Sequence, residues 1–118
     1  MTTKEIGDFG EHAAEIFLEQ KGYSILERQF RCKMGEIDLI AEQGDYTIFV
    51  EVKTRKNCNY GRPSEYVDWK KQEKIRKTAL FYMGSLSQTV RFDVIEVFYD
   101  VQKGECSIKK IEHLENAF

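Results

Sequence analysis

Residues 35–55, GEIDLIAEQGDYTIFVEVKTR, decide how the chain folds. Gly44-Asp45 is a two-residue turn signal between runs of alternating apolar residues, which predicts a β-hairpin over about residues 36 to 54. With that turn, Gln43 faces Tyr46, Asp38 faces Glu51, and Glu36 faces Lys53. Alternation puts Ile37, Leu39 and Ala41 on one apolar face with Val52, Val50 and Ile48. The other face presents Glu36, Asp38, Ile40 and Glu42 against Lys53, Glu51, Phe49 and Thr47. Directly opposed side chains stand roughly 4.5–5.5 Å apart, and like charges placed there repel. Asp38 against Glu51 therefore calls for a positive charge between them. Lys53, two residues on along the same face, supplies part of it, and a divalent cation would supply more.

Outward from the hairpin, the chain alternates helical and extended patterns. Thr2-x-x-Glu5 matches a capping box and Gly22 a helix stop. Between them Ile6, Phe9, Ala13, Ile16 and Phe17 predict a core-facing stripe, with Glu11 at its margin near Ala14 and Leu18. Tyr23 to Leu26 read as the start of the sheet. KNCNYGRPSE, residues 56–65, is the most loop-like stretch and is placed to close over a substrate. Residues 64–83 predict a second helix with Ile75, Ala79, Tyr82 and Met83 inward and Gly84 as its stop. TVRFDVIEVFY, residues 89–99, reads as a central strand, and Cys106 to Ile111 as an edge strand after a turn at Lys103-Gly104. This order implies an α/β fold, a mixed β-sheet of about four to five strands flanked by α-helices, in a single domain over residues 1–118.

A chain of 118 residues with 42% apolar and 32% charged side chains is long enough for one core and too short for two. No apolar run approaches the roughly 18 residues of a membrane span, so no membrane partner is expected. The stretch MTTKEIGDFGEHAAE lacks the apolar centre of a signal peptide, and Cys32, Cys58 and Cys106 are widely spaced. Reduced thiols in a cytoplasmic protein follow as the expectation. His12 and His113 are isolated in sequence, and no zinc site is expected. Net charge is −2, but residues 53–77 hold nine basic and three acidic side chains, +6 in all, leaving −8 elsewhere. Such asymmetry fits a local site for a polyanion, with Arg55, Lys56, Lys70, Lys71 and Lys74 as phosphate contacts of a DNA partner. A merely solvated basic helix is the alternative. Trp69 and Tyr66 read as packing groups rather than base-stacking ones.

Asp38 with Glu51-x-Lys53 on the adjacent strand suits phosphodiester hydrolysis. Paired carboxylates, with the Val52 carbonyl as a further ligand, are hard oxygen donors for Mg²⁺ or Mn²⁺. A lysine beside them can orient or deprotonate a water, or stabilise developing negative charge. A structural ion-pair cluster would use the same residues. GEIDLIA and FVEVKTR, together with Gly10-Glu11, Lys71-Gln72 and the RFD of residues 91–93, resemble the YraN family of small bacterial proteins. That family is similar to archaeal Holliday-junction resolvases within the PD-(D/E)xK nuclease superfamily. The resemblance implies a restriction-endonuclease-like core and metal-dependent cleavage of DNA, branched DNA included. It also implies Asp38 and Glu51 as metal ligands, Lys53 as the catalytic lysine, Glu11 as a helix-borne acid near the metal and Gln72 as a helper. The superfamily's proline before the first aspartate is Ile37 here, and Gln29 stands where the family usually has asparagine. A homodimer is implied as well, for which Phe98, Tyr99 and Phe118 are the candidate exposed aromatics. A non-catalytic nucleic-acid-binding or scaffold protein retaining the nuclease fold is the competing reading.

Overall fold

A computed structural model of the chain describes residues 1–56, 67–85 and 89–118. Most of the predicted loop, with Cys58, Arg62 and Tyr66, lies outside the described residues. The elements run α1 (Thr3–Gln20), β1 (Ser24–Cys32), β2 (Gly35–Gln43), β3 (Tyr46–Lys56), α2 (Trp69–Met83), β4 (Val90–Gln102) and β5 (Glu105–Leu114). The strands form one mixed sheet in the order β1-β2-β3-β4-β5. β3 and β4 are parallel and the other neighbours antiparallel.

Local signals explain most boundaries. Thr2 caps α1 through a capping box with Glu5, and Gly44 takes φ +58° at the hairpin turn. The second helix starts at Trp69 rather than at residue 64: Asp68 is extended and its side chain accepts the Lys71 N–H, so the cap lies five residues later than expected.

Two cores lie on opposite faces of the sheet. Against α1 pack Leu39, Ala41, Ile48, Val50, Ile95 and Val97, meeting Ala13, Ala14 and Leu18. Against α2 pack Ile37, Ile40, Phe49, Phe92 and Val94, meeting Ile75 and Ala79. Alternation accounts for this split everywhere except Ile37, expected beside Leu39 but seated in the α2 cluster. The predicted α1 stripe is likewise corrected at Ile16, which is 42% exposed, because the buried line runs Gly10, Ala13, Ala14, Leu18. Phe98 and Tyr99 are buried, and Phe118 stacks on Phe92 at 5.4 Å between ring centres. These three rings serve the fold and are not the exposed interface groups expected of them.

Where β2 and β3 separate is the feature that positions the site. Their ladder runs from Gln43–Tyr46 to Leu39–Val50 and ends there. Beyond it β2 keeps its pairing with β1 as far as Gly35, while β3 continues alongside β4 to Lys56. Asp38 and Glu51 therefore stand at the crotch of a fork rather than as a ladder pair, and Glu36 is partnered by Arg31 rather than by Lys53.

Helix α1 lies over β3 so closely that a Cβ at Gly10 would collide with the Thr54 side chain. Alanine in a helix interior ordinarily improves on glycine by roughly 0.5–1 kcal/mol. Here the sign reverses: Gly10→Ala is expected to cost about 1–3 kcal/mol by overpacking. Thermal denaturation should show a midpoint several degrees lower, partly restored by adding Thr54→Ala. A Gly10→Ala protein that melts with or above the parent contradicts this close approach.

Candidate active site

At the fork the Val52 N–H has lost its strand partner on β2. It donates instead to Asp38 Oδ2 at 2.8 Å, so the side chain takes over the role of a backbone carbonyl. This bond holds Asp38 at the branch point, and the adjoining residue Glu51 is 8% exposed on the α2 face. Two carboxylates are thus held near one another, Glu51 buried and Asp38 half-buried. The consequence is electrostatic: burial first, then the charges of Glu51 and Glu11, push the Asp38 carboxyl up to about 7 against the restraint of the Val52 N–H and Lys71.

Lys71 supplies the positive charge that the hairpin required. Its Nζ lies 2.6 Å from Glu51 Oε1. Burial pulls that ammonium towards the neutral form, but the Glu51 hydrogen bond and the charges of Glu51, Asp38 and Glu36 outweigh it and raise its pKa. Lys71 was expected among the phosphate contacts, and Gln72 was the expected helper. The structure gives the place beside the carboxylates to Lys71. Gln72 spends its amide N–H on the Val67 carbonyl at 2.8 Å, tying down the start of α2.

Glu11 comes from α1, on the margin of the buried stripe as its spacing predicts. Burial raises its pKa, the nearby charges of Asp8, Glu36 and Glu51 add to that, and a bond from Gln29 opposes it. Gln29 Nε2 donates to Glu11 Oε1 at 3.3 Å and to Asp8 Oδ1 at 3.4 Å. Its backbone sits at φ +48°, left-handed territory in which asparagine is far more at ease than glutamine. That conformation explains why an asparagine suits this position. Glu11, Gln29 and Asp38 share a small cavity of about 50 Å³ with Arg31, Glu36 and Ile37.

Lys53 and Arg55 follow Glu51 on the same face of β3. In register beside Lys53 on β4 is Glu96, 1% exposed, and Arg55 Nε donates to its Oε2 at 2.8 Å. Arg55 is thereby committed in part to a buried ion pair, a restraint on its expected role at phosphates. Lys56 is exposed at the end of β3. Lys70, Lys71 and Lys74 line a groove of about 370 Å³ between α2 and the start of β2. Trp69, expected to pack, is 70% exposed instead. Glu96 escaped the sequence reading, although one carboxylate inside the apolar run VIEVFY signals a buried charge in need of a partner.

Among the described residues no three His, Cys, Asp or Glu side chains converge as a ready-made metal cage. No helix among them is long and apolar enough to cross a membrane. Residues 10–97 match the family described as Uncharacterised protein family UPF0102. A UPF0102 protein of Clostridium acetobutylicum is 48% identical over 118 residues, covering 98% of this chain and 94% of its own length. One of Caldanaerobacter subterraneus is also 48% identical, covering 98% and 95%, and one of Caldicellulosiruptor bescii is 46% identical over the full length of both.

Because Asp38 is raised in the folded state to about 7 from an ordinary 3.8, its ionisation opposes folding. The folded chain then binds more protons than the unfolded one between roughly pH 4 and 7, so stability from this group falls as pH rises through that window. Asp38→Asn keeps an oxygen for the Val52 N–H and removes the charge. In metal-free buffer it should melt above the parent at pH 8 and with it near pH 4. An equal midpoint at pH 8 would show that the charge carries no such penalty.

Proposed function

Because the chain belongs to the UPF0102 family and folds Asp38, Glu51 and Lys53 into one fork of the sheet, we propose that it is a metal-dependent endonuclease. On this reading it is of the PD-(D/E)xK type, hydrolyses DNA phosphodiester bonds and takes branched, Holliday-junction-like DNA as its substrate. The observation that carries the reading is the carboxylate pair itself. The fold buries Glu51, props Asp38 beside it with a backbone N–H, and leaves Asp38 with too little compensating charge to ionise at its ordinary pH. A carboxylate perturbed in this way at a cleft is a candidate functional group, and a bound cation would relieve it.

The donors present fit Mg²⁺ or Mn²⁺. These ions are held by one or two carboxylates and keep several waters, so a third acidic side chain is not required. Asp38, Glu51 and the Val52 carbonyl would hold the ion, which when bound lowers the pKa of a water and offsets charge on the transferring phosphoryl group. Glu11, across the shared small cavity from Asp38, offers a carboxylate to a water's proton. Lys53, next on the Glu51 face of β3, orients that water, takes its proton or stabilises negative charge as it develops. Lys71, once released from Glu51, has its ammonium free for a phosphate, with Lys70 and Lys74 in the same groove and Lys56 at the strand end.

One observation favours the competing, non-catalytic reading. Lys71 already neutralises Glu51 from within the chain, as it would in a scaffold that had given up its ion. A supercoiled plasmid and a synthetic four-way junction, each incubated with Mg²⁺ and with Mn²⁺, separate the two. Cleavage is expected. Binding without cleavage of any form, flap and single strand included, gives the decision to the scaffold.

The variants sort the roles. Lys53→Ala should lower cleavage by roughly 10²–10⁴-fold, the usual worth of a positioned proton-transfer group, with little change in Mn²⁺ affinity by calorimetry. Asp38→Asn and Glu51→Gln should each weaken Mn²⁺ by at least roughly tenfold, since even groups behind metal ligands are worth that much. Lys71→Met should bind Mn²⁺ more tightly, having lost an internal competitor for Glu51. Unchanged Mn²⁺ affinity in both carboxylate variants removes the proposed site.

A further inference from the structure

The first two turns of α2 combine Lys70, Lys71 and Lys74 with Trp69, the most exposed aromatic side chain among the described residues. Successive helical residues are about 100° apart, so residues four apart share a stripe. Lys71 points inward to Glu51, at 2.6 Å. Lys70 and Lys74 form the next stripe around, on the flank that lines the groove beside Gly35 and Glu36. Trp69 lies one further step outward and is 70% exposed. A path therefore crosses the helix from the carboxylates, over two lysines, to an uncovered indole.

Tryptophan is the side chain with the most apolar area to bury, and rings such as Phe49, Phe92, Phe118, Phe30 and Tyr82 pack on one another, while Trp69 is more exposed than Phe81 or Tyr46. Trp69 stands first in its helix and beside the lysine flank, where phosphates would run. From this juxtaposition, and resting on the nuclease reading above, we infer that Trp69 is a stacking platform for an unpaired base. The nucleic acid at this site then carries a single-stranded segment across the N-terminal turn of α2. Its phosphates lie on Lys70 and Lys74 and one base lies on the indole. Bases inside a continuous duplex have both faces stacked on their neighbours and leave none for the ring. Charge and stacking together thus select strand ends, flaps or the open arms of a branch over intact duplex, without regard to sequence.

Trp69 is the sole tryptophan of the chain, so its emission reports on this position alone. The test uses the whole protein in EDTA, titrated with an oligo-dT of about 12 nucleotides, within the size range of single-strand sites, and with a blunt duplex of equal length. Binding is followed in parallel by anisotropy of a label on the DNA. The expected result is quenching by the single strand with the same midpoint as anisotropy, and none by the duplex. Trp69→Ala should weaken single-strand binding roughly 5- to 150-fold, the worth of one stacked base, and leave duplex binding unchanged, while Trp69→Phe retains most of it. Circular dichroism of both variants should match the parent, as befits an exposed side chain. Single-strand binding without quenching, unaltered in Trp69→Ala, overturns the inference while leaving metal-dependent cleavage untouched. Quenching that follows protein concentration without DNA assigns the indole to a second copy and overturns it as well. Failure to bind either probe overturns this inference, and with continued failure on the four-way junction it removes the nuclease reading too.

Discussion

The bond from the Val52 N–H to Asp38 Oδ2 does in one place what several backbone pairs do elsewhere in the sheet. An unpaired amide at a strand fork would be costly to bury, and a side chain that satisfies it lets β2 and β3 diverge without leaving an orphan. Because they diverge, β3 can run on beside β4 while β2 turns with β1, and a cleft opens between the halves of one sheet. The residues that seal the fork are also the ones the proposed reaction would use. Asp38 has one oxygen engaged by the backbone, so its position is fixed before any ligand arrives. Preorganisation of this kind is what a reactive centre requires of its scaffold.

Two aspartates show how differently the same fold treats a carboxylate. Asp93, on β4, is fully buried, yet burial is outweighed by His113, by Arg91 and by the Asn116 N–H, and its pKa falls below the ordinary value. His113 Nε2 is 2.7 Å from Asp93 Oδ2, Arg91 Nε and Nη2 donate at 2.9 and 2.8 Å, and the Arg91 guanidinium also reaches Tyr23 Oη. That network is fully satisfied and ties the C-terminal strand and the end of α1 to the sheet, a stabilising role. Asp38 receives one amide and faces two other acids, and its pKa rises. The two residues shift in opposite directions because one is surrounded by donors and cations and the other by acids.

Lys71 links these electrostatics to the surface. Its ammonium relieves Glu51 from within the chain, so the fold tolerates its acidic cluster, and the proposed divalent ion would have to compete with it. The first two turns of the same helix carry Lys70, Lys74 and Trp69 outward. One short stretch of α2 thereby borders both the proposed centre and the proposed docking surface, and a shift of that stretch would be felt at both.

By itself the sequence determined whatever has a period or a cap. The Gly44-Asp45 turn and the alternation on either side specified the hairpin and its register from Gln43–Tyr46 to Leu39–Val50. Thr2 and Glu5 specified the start of α1, and the run VRFDVIEVFY specified an interior strand. Asp38, Glu51 and Lys53 were legible as a group from the register expected of the hairpin, although the ladder itself stops one pair short of them. Only the tertiary structure decided where the hairpin stops being a hairpin. That depends on β4, some forty residues away in register, competing for the backbone of β3, and no local pattern carries the outcome of such a competition. The fork turns Ile37 to the α2 side, and the packing of α2 chooses Lys71 over its neighbour Gln72 as the partner of Glu51. It also leaves Trp69 in water, because a helix beginning at Asp68 puts its first residue beyond the reach of the core. Side chains one position apart differ by 100° around a helix, so a cap that moves by a few residues redistributes every role on it.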